Sequence, residues 1–284
     1  MTPVATSARV SRRALLARSA ILALLFSLVS VSLAFAHDMF LKPTRYFAPE
    51  NAEVRVRVLN GTFIKSENSI ARNRLADASV LTPRGRTTLD TTEWSVRGDT
   101  STYHIHTRTA GTYVLGVSTK PNEIELSGED FNLYLEEDGI PDVLEARRRA
   151  GELQKGARER YSKHIKAFVQ VGDARSDLYA TPLGYPAEIV PLENPYAVSR
   201  GGTLRVRTLV DGKLVANQLV QFGGTDATDA GIEQKSVRSN AEGIAVIPLP
   251  VAGTWYVKFI NMAKVGRGGV DYESKWATIT FQVK

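Results

Sequence analysis

Hydrophobic and polar residues alternate over many short stretches of the chain, and a period of two is typical of β-strands. Residues 54–58 alternate valine with arginine, and residues 204–209 repeat the alternation. The dipeptides Asn60-Gly61 and Asp211-Gly212 that follow these stretches are typical of turns. Further strands are predicted over residues 101–107, 112–118, 219–222, 243–248, 255–260 and 277–283. The pattern predicts a mainly β protein.

Two segments of the first half of the chain recur in the second half in the same order. Residues 110–115 (Ala-Gly-Thr-Tyr-Val-Leu) resemble residues 252–257 (Ala-Gly-Thr-Trp-Tyr-Val), and the strand and turn at 54–61 resemble 204–212. Two copies of one β-sandwich would produce such a repeat. We therefore expect two Ig-like or transthyretin-like β-sandwich domains, an N-terminal one over residues 37–135 and a C-terminal one over residues 183–284.

Residues 136–182 are expected to connect the two domains. They contain the one segment with a helical pattern, from Pro141 to about Lys166, and a proline suits the first turn of a helix. His164 lies on the apolar face of this expected helix, where a packing role is favoured. Residues 184–195 are rich in proline and glycine and indicate a link into the second domain.

The first 36 residues have the pattern of a cleavable signal peptide. Four arginines lie before or at the start of an apolar run over residues 20–33: Arg9, Arg12, Arg13 and Arg18. Ala34-Phe35-Ala36 then supplies small residues at the cleavage positions. The pair Arg12-Arg13 also suits a twin-arginine leader, so the Sec and twin-arginine routes both stay open. We expect a periplasmic protein that contacts the membrane only during export.

Removal of this leader changes what the charge implies. The whole chain has a net charge of +6, and the leader contains four of its arginines and no acid, which leaves +2. A nearly neutral protein lacks the basic surface that nucleic acid requires, so nucleic acid is excluded as a partner. The chain also has no cysteine, which excludes disulfides, thiolate metal sites and cysteine nucleophiles.

Histidines are the first candidates for chemistry. If cleavage follows Ala36, His37 becomes the N-terminal residue and offers its α-amine and imidazole to one ion, a chelate that suits copper and nickel. His104 and His106 are two apart on a predicted strand, so they face the same side and could bind a metal together. The alternatives are an incidental N-terminal residue and a solvated polar face.

An acidic segment is the second candidate. Residues 121–146 contain nine acidic residues and no lysine or arginine, and such a segment attracts cations. Residues 136–139 lack the ligand spacing of an EF-hand calcium loop, so a solvated surface is the alternative interpretation. The chain also lacks the Gly-x-Ser-x-Gly, phosphate-loop and His-Glu-x-x-His motifs, so nothing indicates a hydrolase or a nucleotide-binding enzyme.

Five segments spread in order over residues 37–284 resemble a family of periplasmic proteins associated with nickel and cobalt uptake, which contain a domain of unknown function. The segments are residues 37–43 (His-Asp-Met-Phe-Leu-Lys-Pro), 161–167 (Tyr-Ser-Lys-His-Ile-Lys-Ala), 184–195 (Gly-Tyr-Pro-Ala-Glu-Ile-Val-Pro-Leu-Glu-Asn-Pro), 211–214 (Asp-Gly-Lys-Leu) and 271–278 (Asp-Tyr-Glu-Ser-Lys-Trp-Ala-Thr). The resemblance implies two β-sandwich domains and a metal-related periplasmic role, with His37 matching the histidine after the leader. Members often carry a histidine where this chain has Asn261, and asparagine is a poor ligand for these metals.

We therefore expect a non-enzymatic periplasmic protein that binds or delivers nickel or cobalt, with a membrane transporter for metal uptake as its partner. The expected ligands are His37, His104, His106, Asp271 and Glu273. Two alternatives stay open. One is a β-sandwich module that binds protein or carbohydrate without a metal. The other is a copper redox enzyme built on His37.

Overall fold

The computed structural model describes residues 37–284, so the predicted leader lies outside the described residues. The first half contains strands β1 (Asp38–Pro43), β2 (Phe47–Ala48), β3 (Glu53–Gly61), β4 (Leu75–Thr82), β5 (Gly85–Thr88), β6 (Ser95–Arg97), β7 (Thr100–His106), β8 (Gly111–Thr119), β9 (Asn122–Leu126) and β10 (Ala157–Val171). Helices α1 (Gly128–Glu137) and α2 (Pro141–Arg149) lie between β9 and β10. The second half contains β11 (Ala187–Pro191), β12 (Gly202–Val210), β13 (Lys213–Leu214), β14 (Leu219–Asp226), β15 (Gly231–Arg238), β16 (Ile244–Leu249), β17 (Gly253–Arg267) and β18 (Val270–Val283). The prediction of a mainly β fold is confirmed.

Two layers of strands enclose the core of the first half. The sheet β1-β3-β7-β6 packs on β5-β4-β8-β10. Valines of β3 fill the space between them because the alternation in residues 54–58 points every second side chain inward. Val54, Val56 and Val58 are fully buried. The arginines between them point to the outer face of the sheet.

The second half repeats this arrangement. Strands β11, β12 and β16 pair in the order that β1, β3 and β7 follow, and β14, β17 and β18 pair as β4, β8 and β10 do. The two matching segments found in the sequence begin β8 at Gly111 and β17 at Gly253. A Cβ on Gly253 would lie 2.2 Å from the Thr225 carbonyl oxygen, and its φ of +154° favours glycine. The repeat therefore reflects equivalent strand starts in two sandwiches.

A parallel pairing joins the two sandwiches. Strand β10 pairs with β18 from Glu159 opposite Tyr272 to Ala167 opposite Thr280. This pairing makes the sheets continuous in the order β15-β14-β17-β18-β10-β8-β4-β5, so strands of both expected domains share one sheet. The division into domains at residues 135 and 183 stays a prediction.

The expected helix from Pro141 to Lys166 is wrong in its second half. Helix α2 ends at Arg149, and residues 157–171 form the central strand β10, so His164 is buried on a strand. From Ser162 onwards β10 is buried on both faces, so its side chains do not alternate between apolar and polar.

Two further predictions from the sequence, a link and a turn, are wrong. The stretch 184–195 contains β11, a strand whose five residues are all buried, although its prolines and glycine suggested a link. Asn60-Gly61 continues β3 instead of forming a turn, whereas Asp211-Gly212 forms the predicted turn with φ values of +49° and +74°. Within residues 37–284, no helix is both long and apolar enough to cross a membrane.

Candidate functional site

His37 lies directly before β1 and is held by its backbone. Its carbonyl oxygen accepts a hydrogen bond from the Lys163 ammonium on β10. Its Nδ1 lies 3.3 Å from Oε2 of Glu67, and the two side chains are 26% and 39% exposed. Six residue pairs between β1 and β3 fix the strand that follows. The imidazole is therefore presented to solvent from an ordered backbone, next to a carboxylate.

A group of charged residues lies beneath His37: Asp38, Asp138, Glu159, Lys163 and Lys258. Together with His37 and Glu67, these five residues are called the N-terminal cluster. Lys258 forms an ion pair with Asp38, and only 4% and 18% of the two side chains are exposed.

Lys163 is the central cation of this cluster. Besides its bond to His37, it donates to Oδ1 of Asn60 at 3.2 Å and lies 5.1 Å from the ring centre of Trp276. Burial lowers the pKa of Lys163 to about 8, because desolvation outweighs the attraction of the nearby acids. Its bonds fix the first residue of β1 relative to the shared sheet.

The two deepest acids of the cluster titrate near neutral pH. Burial raises the pKa of Glu159 to about 7, although Tyr134 and Ser274 donate hydrogen bonds to its Oε1. Its Oε2 has no hydrogen-bond partner among the described residues. Burial, reinforced by the charge of Asp38, also raises the pKa of Asp138 to about 7.

His104 and His106 lie on β7, on the face directed away from the core. Nδ1 of His104 is 3.1 Å from Oε1 of Glu53, and His106 stands opposite Glu53 in the β3–β7 pairing. The two histidines therefore face the same side. Within residues 37–284, no group of three or more histidines and acids is arranged to hold a metal ion.

The two acids expected from the C-terminal run lie elsewhere. Asp271 accepts a hydrogen bond from the backbone N–H of Arg158 at 2.9 Å, and Glu273 lies 3.3 Å from Nη1 of Arg160. Glu273 stands opposite Arg160, three residues from Lys163, so it lies on the other face of the sheet from the His37 contact. The structure does not bring these acids to His37.

Asn261, where the resemblance implies a histidine, lies on β17. Its Nδ2 donates to Oε1 of Gln218 at 3.0 Å. It stands opposite Lys275, on the face that also carries Glu273. This position therefore also faces away from the N-terminal cluster.

Arginines from distant strands neutralise part of the acidic segment. Glu123 pairs with Arg158 and Arg160 of β10, and Asp142 pairs with Arg238 of β15. The hydrogen bond from Arg160 lowers the pKa of Glu123. The segment looked strongly acidic because its partners lie far away in sequence.

A second polar site, which the sequence did not indicate, lies on the other face of β10. We call it the serine–histidine cleft; it has a volume of about 350 Å³. Its lining residues are Ala76, Asp77, Arg86, Ser118, Thr119, Pro121, Ser162, His164, Leu183, Gly184, Tyr185 and Pro186. Nδ1 of His164 lies 2.9 Å from the Ser118 hydroxyl and Nε2 lies 3.0 Å from the Ser162 hydroxyl. Burial lowers the pKa of His164 to about 4, so the ring is neutral at physiological pH.

A buried ion pair supports one wall of this cleft. Lys166 lies 2.8 Å from Glu188, and both side chains are almost completely buried. The Glu188 carboxylate also accepts hydrogen bonds from the backbone N–H groups of residues 183–185. Residues 162, 164 and 166 point to one face of β10, and this spacing would have indicated the site if the segment had been recognised as a strand.

Comparison with known proteins identifies a family and several remote similarities to solved structures. A model described as "Domain of unknown function (DUF4198)" matches residues 34–263. No curated protein sequence matches the chain. Among solved structures, a DUF4785 family protein from Legionella pneumophila is 10% identical with a TM-score of 0.25, over 78% of this chain and 51% of that one. Trypsin-activated alpha-2-macroglobulin from Escherichia coli is 9% identical with a TM-score of 0.26, over 87% of this chain and 16% of that one. The chain thus spans about half or less of these proteins.

Proposed function

Because the chain belongs to the DUF4198 family, whose description assigns no activity, we propose a function from the N-terminal cluster. The protein is a periplasmic, non-enzymatic carrier that binds nickel or cobalt at His37 and passes it to a membrane transporter. The observation that supports this proposal is the contact between the His37 imidazole and the Glu67 carboxylate at an anchored, partly exposed N-terminus.

The donor atoms of this pair suit a transition metal. With metal–ligand bonds of ~2.1 Å, neighbouring donors in a tetrahedral or octahedral shell lie about 3.0–3.4 Å apart. The 3.3 Å between Nδ1 of His37 and Oε2 of Glu67 falls in this interval. Cleavage after Ala36 would add the α-amine of His37 as a third donor. A set of two nitrogens and one oxygen suits Ni²⁺ and Co²⁺ and leaves positions for water.

The surroundings favour reversible binding. The bond from Lys163 to the His37 carbonyl and the Asp38–Lys258 ion pair hold the first two residues in place, which reduces the entropy lost when the metal is chelated. The ammonium of Lys163 also opposes a nearby cation. An ordered but partly exposed site beside a positive charge suits a carrier that must release its metal.

A second candidate is an interaction module, and one edge of the shared sheet favours it. Strand β15 (Gly231–Arg238) forms that edge, and most of its side chains are exposed. Its outer backbone groups could pair with a strand from a partner. Such a module would bind its partner equally well with and without metal.

Titration of the protein that begins with His37 tests the carrier proposal. We expect saturable binding of Ni²⁺ and Co²⁺ in calorimetry, lost in His37→Ala and weakened about tenfold in Glu67→Gln. His104→Ala is the matched control, because it removes another histidine beside a glutamate, and it should bind normally. Binding should weaken as the pH falls, because protons compete with the metal for the ligand nitrogens.

Two outcomes would contradict the carrier proposal. One is binding no tighter than that of a free peptide with the sequence of residues 37–43. The other is oxygen consumption by the copper-loaded protein with a reductant, which would instead indicate a copper redox enzyme.

A further inference from the structure

We propose that the serine–histidine cleft is a binding site for a small uncharged ligand rich in hydroxyl groups, such as a monosaccharide or a polyol. The cleft has a volume of about 350 Å³, within the range of small-molecule sites. It lies on the opposite face of β10 from the N-terminal cluster. The inference is therefore independent of metal binding at His37.

The hydroxyl groups of two serines point to a ligand that both donates and accepts hydrogen bonds. A neutral imidazole has one N–H and one bare nitrogen. One of Ser118 and Ser162 therefore donates its proton to His164, and the other accepts from the ring and keeps its own proton free. In either tautomer the cleft offers one free hydroxyl donor and one hydroxyl oxygen as acceptor. Hydroxyl groups of a ligand can satisfy both.

The charges that line the cleft are balanced, which disfavours an ionic ligand. Arg86 lies 2.9 Å from Oδ2 of Asp77, and the Tyr185 hydroxyl donates to the same oxygen at 2.5 Å. Oδ1 of Asp77 accepts no hydrogen bond from the described residues and remains as an acceptor. Behind the wall, Lys166 and Glu188 neutralise each other. Neither an anion nor a cation finds an unpaired countercharge here.

Apolar surfaces complete the site. Ala76, Leu183 and Pro186 line it, as is usual for pockets that bind the CH faces of a small ligand. The loop at residues 183–186 can approach β8 this closely because Gly116 lacks a side chain. A Cβ there would lie 2.4 Å from both Leu183 and Tyr185. Together with the three backbone bonds to Glu188, this contact makes the wall rigid before any ligand arrives.

Nuclear magnetic resonance titration tests this site. The ¹⁵N-labelled mature protein, kept in a chelator, is titrated with glucose and N-acetylglucosamine, and separately with acetate and betaine as charged probes. Ala76→Phe obstructs the mouth of the cleft from an exposed position on β4. Ala241→Phe, at an exposed turn before β16, is the matched control.

We expect saturable shifts around residues 118, 162–164 and 183–186 with at least one neutral sugar. Affinity should fall at least tenfold in Ala76→Phe, and both Ala241→Phe and His37→Ala should retain it. Three results would overturn the inference: no saturable shift with either sugar, stronger binding of a charged probe, or unchanged sugar binding in Ala76→Phe. Because His37→Ala should lose metal binding but retain sugar binding, this variant tests the cleft separately from the metal proposal.

Discussion

The two faces of β10 carry polar residues of different character. On one face, Glu159 and Lys163 join an ionic cluster, in which burial raises the pKa of Glu159 to about 7 and lowers the pKa of Lys163 to about 8. On the other face, Ser162 and His164 form an uncharged network, and the nearby charges of Arg86 and Asp77 are closely paired. A single strand covered on both sides can thus contribute residues to two separate candidate sites. The difference also shows that closely packed buried charges can be balanced by pairing or by shifts in pKa.

Removing one partner of the deepest ion pair should have the largest effect. Lys166→Met leaves the Glu188 carboxylate buried without its cation, which typically costs about 3–5 kcal/mol. Three backbone N–H groups still bind Glu188, so we expect about 3 kcal/mol in the free energy of unfolding, measured with urea at pH 7. The double variant with Glu188→Gln should regain part of this loss. A loss below about 1 kcal/mol in Lys166→Met would show that the pair does not support the loop.

Ionisable groups on the two faces should also make the stability of the folded protein change with pH in opposite directions. The pKa of Glu159 is raised to about 7 in the folded protein, so the folded state binds the extra proton and stability falls as pH rises from about 4.5 to 7. The pKa of His164 is lowered to about 4, so stability is lost as pH falls from about 6.5 to 4. The two contributions offset each other near pH 5 to 6.5.

Two variants separate these contributions. We compare the change in the free energy of unfolding between pH 5 and pH 6.5 with that of the unmodified protein. In Glu159→Gln this change should be more positive, and in His164→Gln it should be more negative, each by on the order of 1–2 kcal/mol. Urea unfolding at half-unit pH steps measures both slopes. If the two variants shift the slope in the same direction, the contrast between the faces is wrong.

A smaller effect is expected inside the cleft. Tyr185→Phe removes one hydrogen bond to Asp77, which keeps its bonds to Arg86 and Ser79, so we expect a loss of about 1 kcal/mol. Tyr179→Phe is the control, and it should change stability by less than about 0.5 kcal/mol. An equal loss in both variants would mean that the Tyr185 hydroxyl has no special role in the cleft wall.

The strands were predictable from sequence where one face of a sheet is solvated. Residues 54–58 and 204–209 alternate because their arginines face water, and both stretches are strands. The sequence pattern of β10 predicts the end of a helix instead of a strand, because its buried side chains include Lys163, His164 and Lys166 and therefore show no strand periodicity. Such residues are buried only because partners distant in sequence pair with them, and these partners become visible only in the fold.

The residues of the candidate sites were likewise predictable from the sequence only in part. His37 is a candidate ligand from the sequence alone, because cleavage of the expected leader would create a chelating terminus. Its neighbour Glu67 was not predictable, since the loop after β3 brings it back to β1. The pairing of Asp271 and Glu273 with the strand that carries Arg158 and Arg160 likewise depends on the parallel contact between β10 and β18.

The most direct test of the metal proposal compares two N-termini that differ by one residue. One protein begins with His37, and the other retains Ala36, which keeps the imidazole and Glu67 but removes the free α-amine from the chelate. Calorimetric titration with Ni²⁺ and Co²⁺ should give at least tenfold weaker binding for the longer protein, with unchanged thermal stability of the metal-free forms. Equal affinity in the two proteins would contradict the account, because the metal would then not be chelated by the N-terminal histidine.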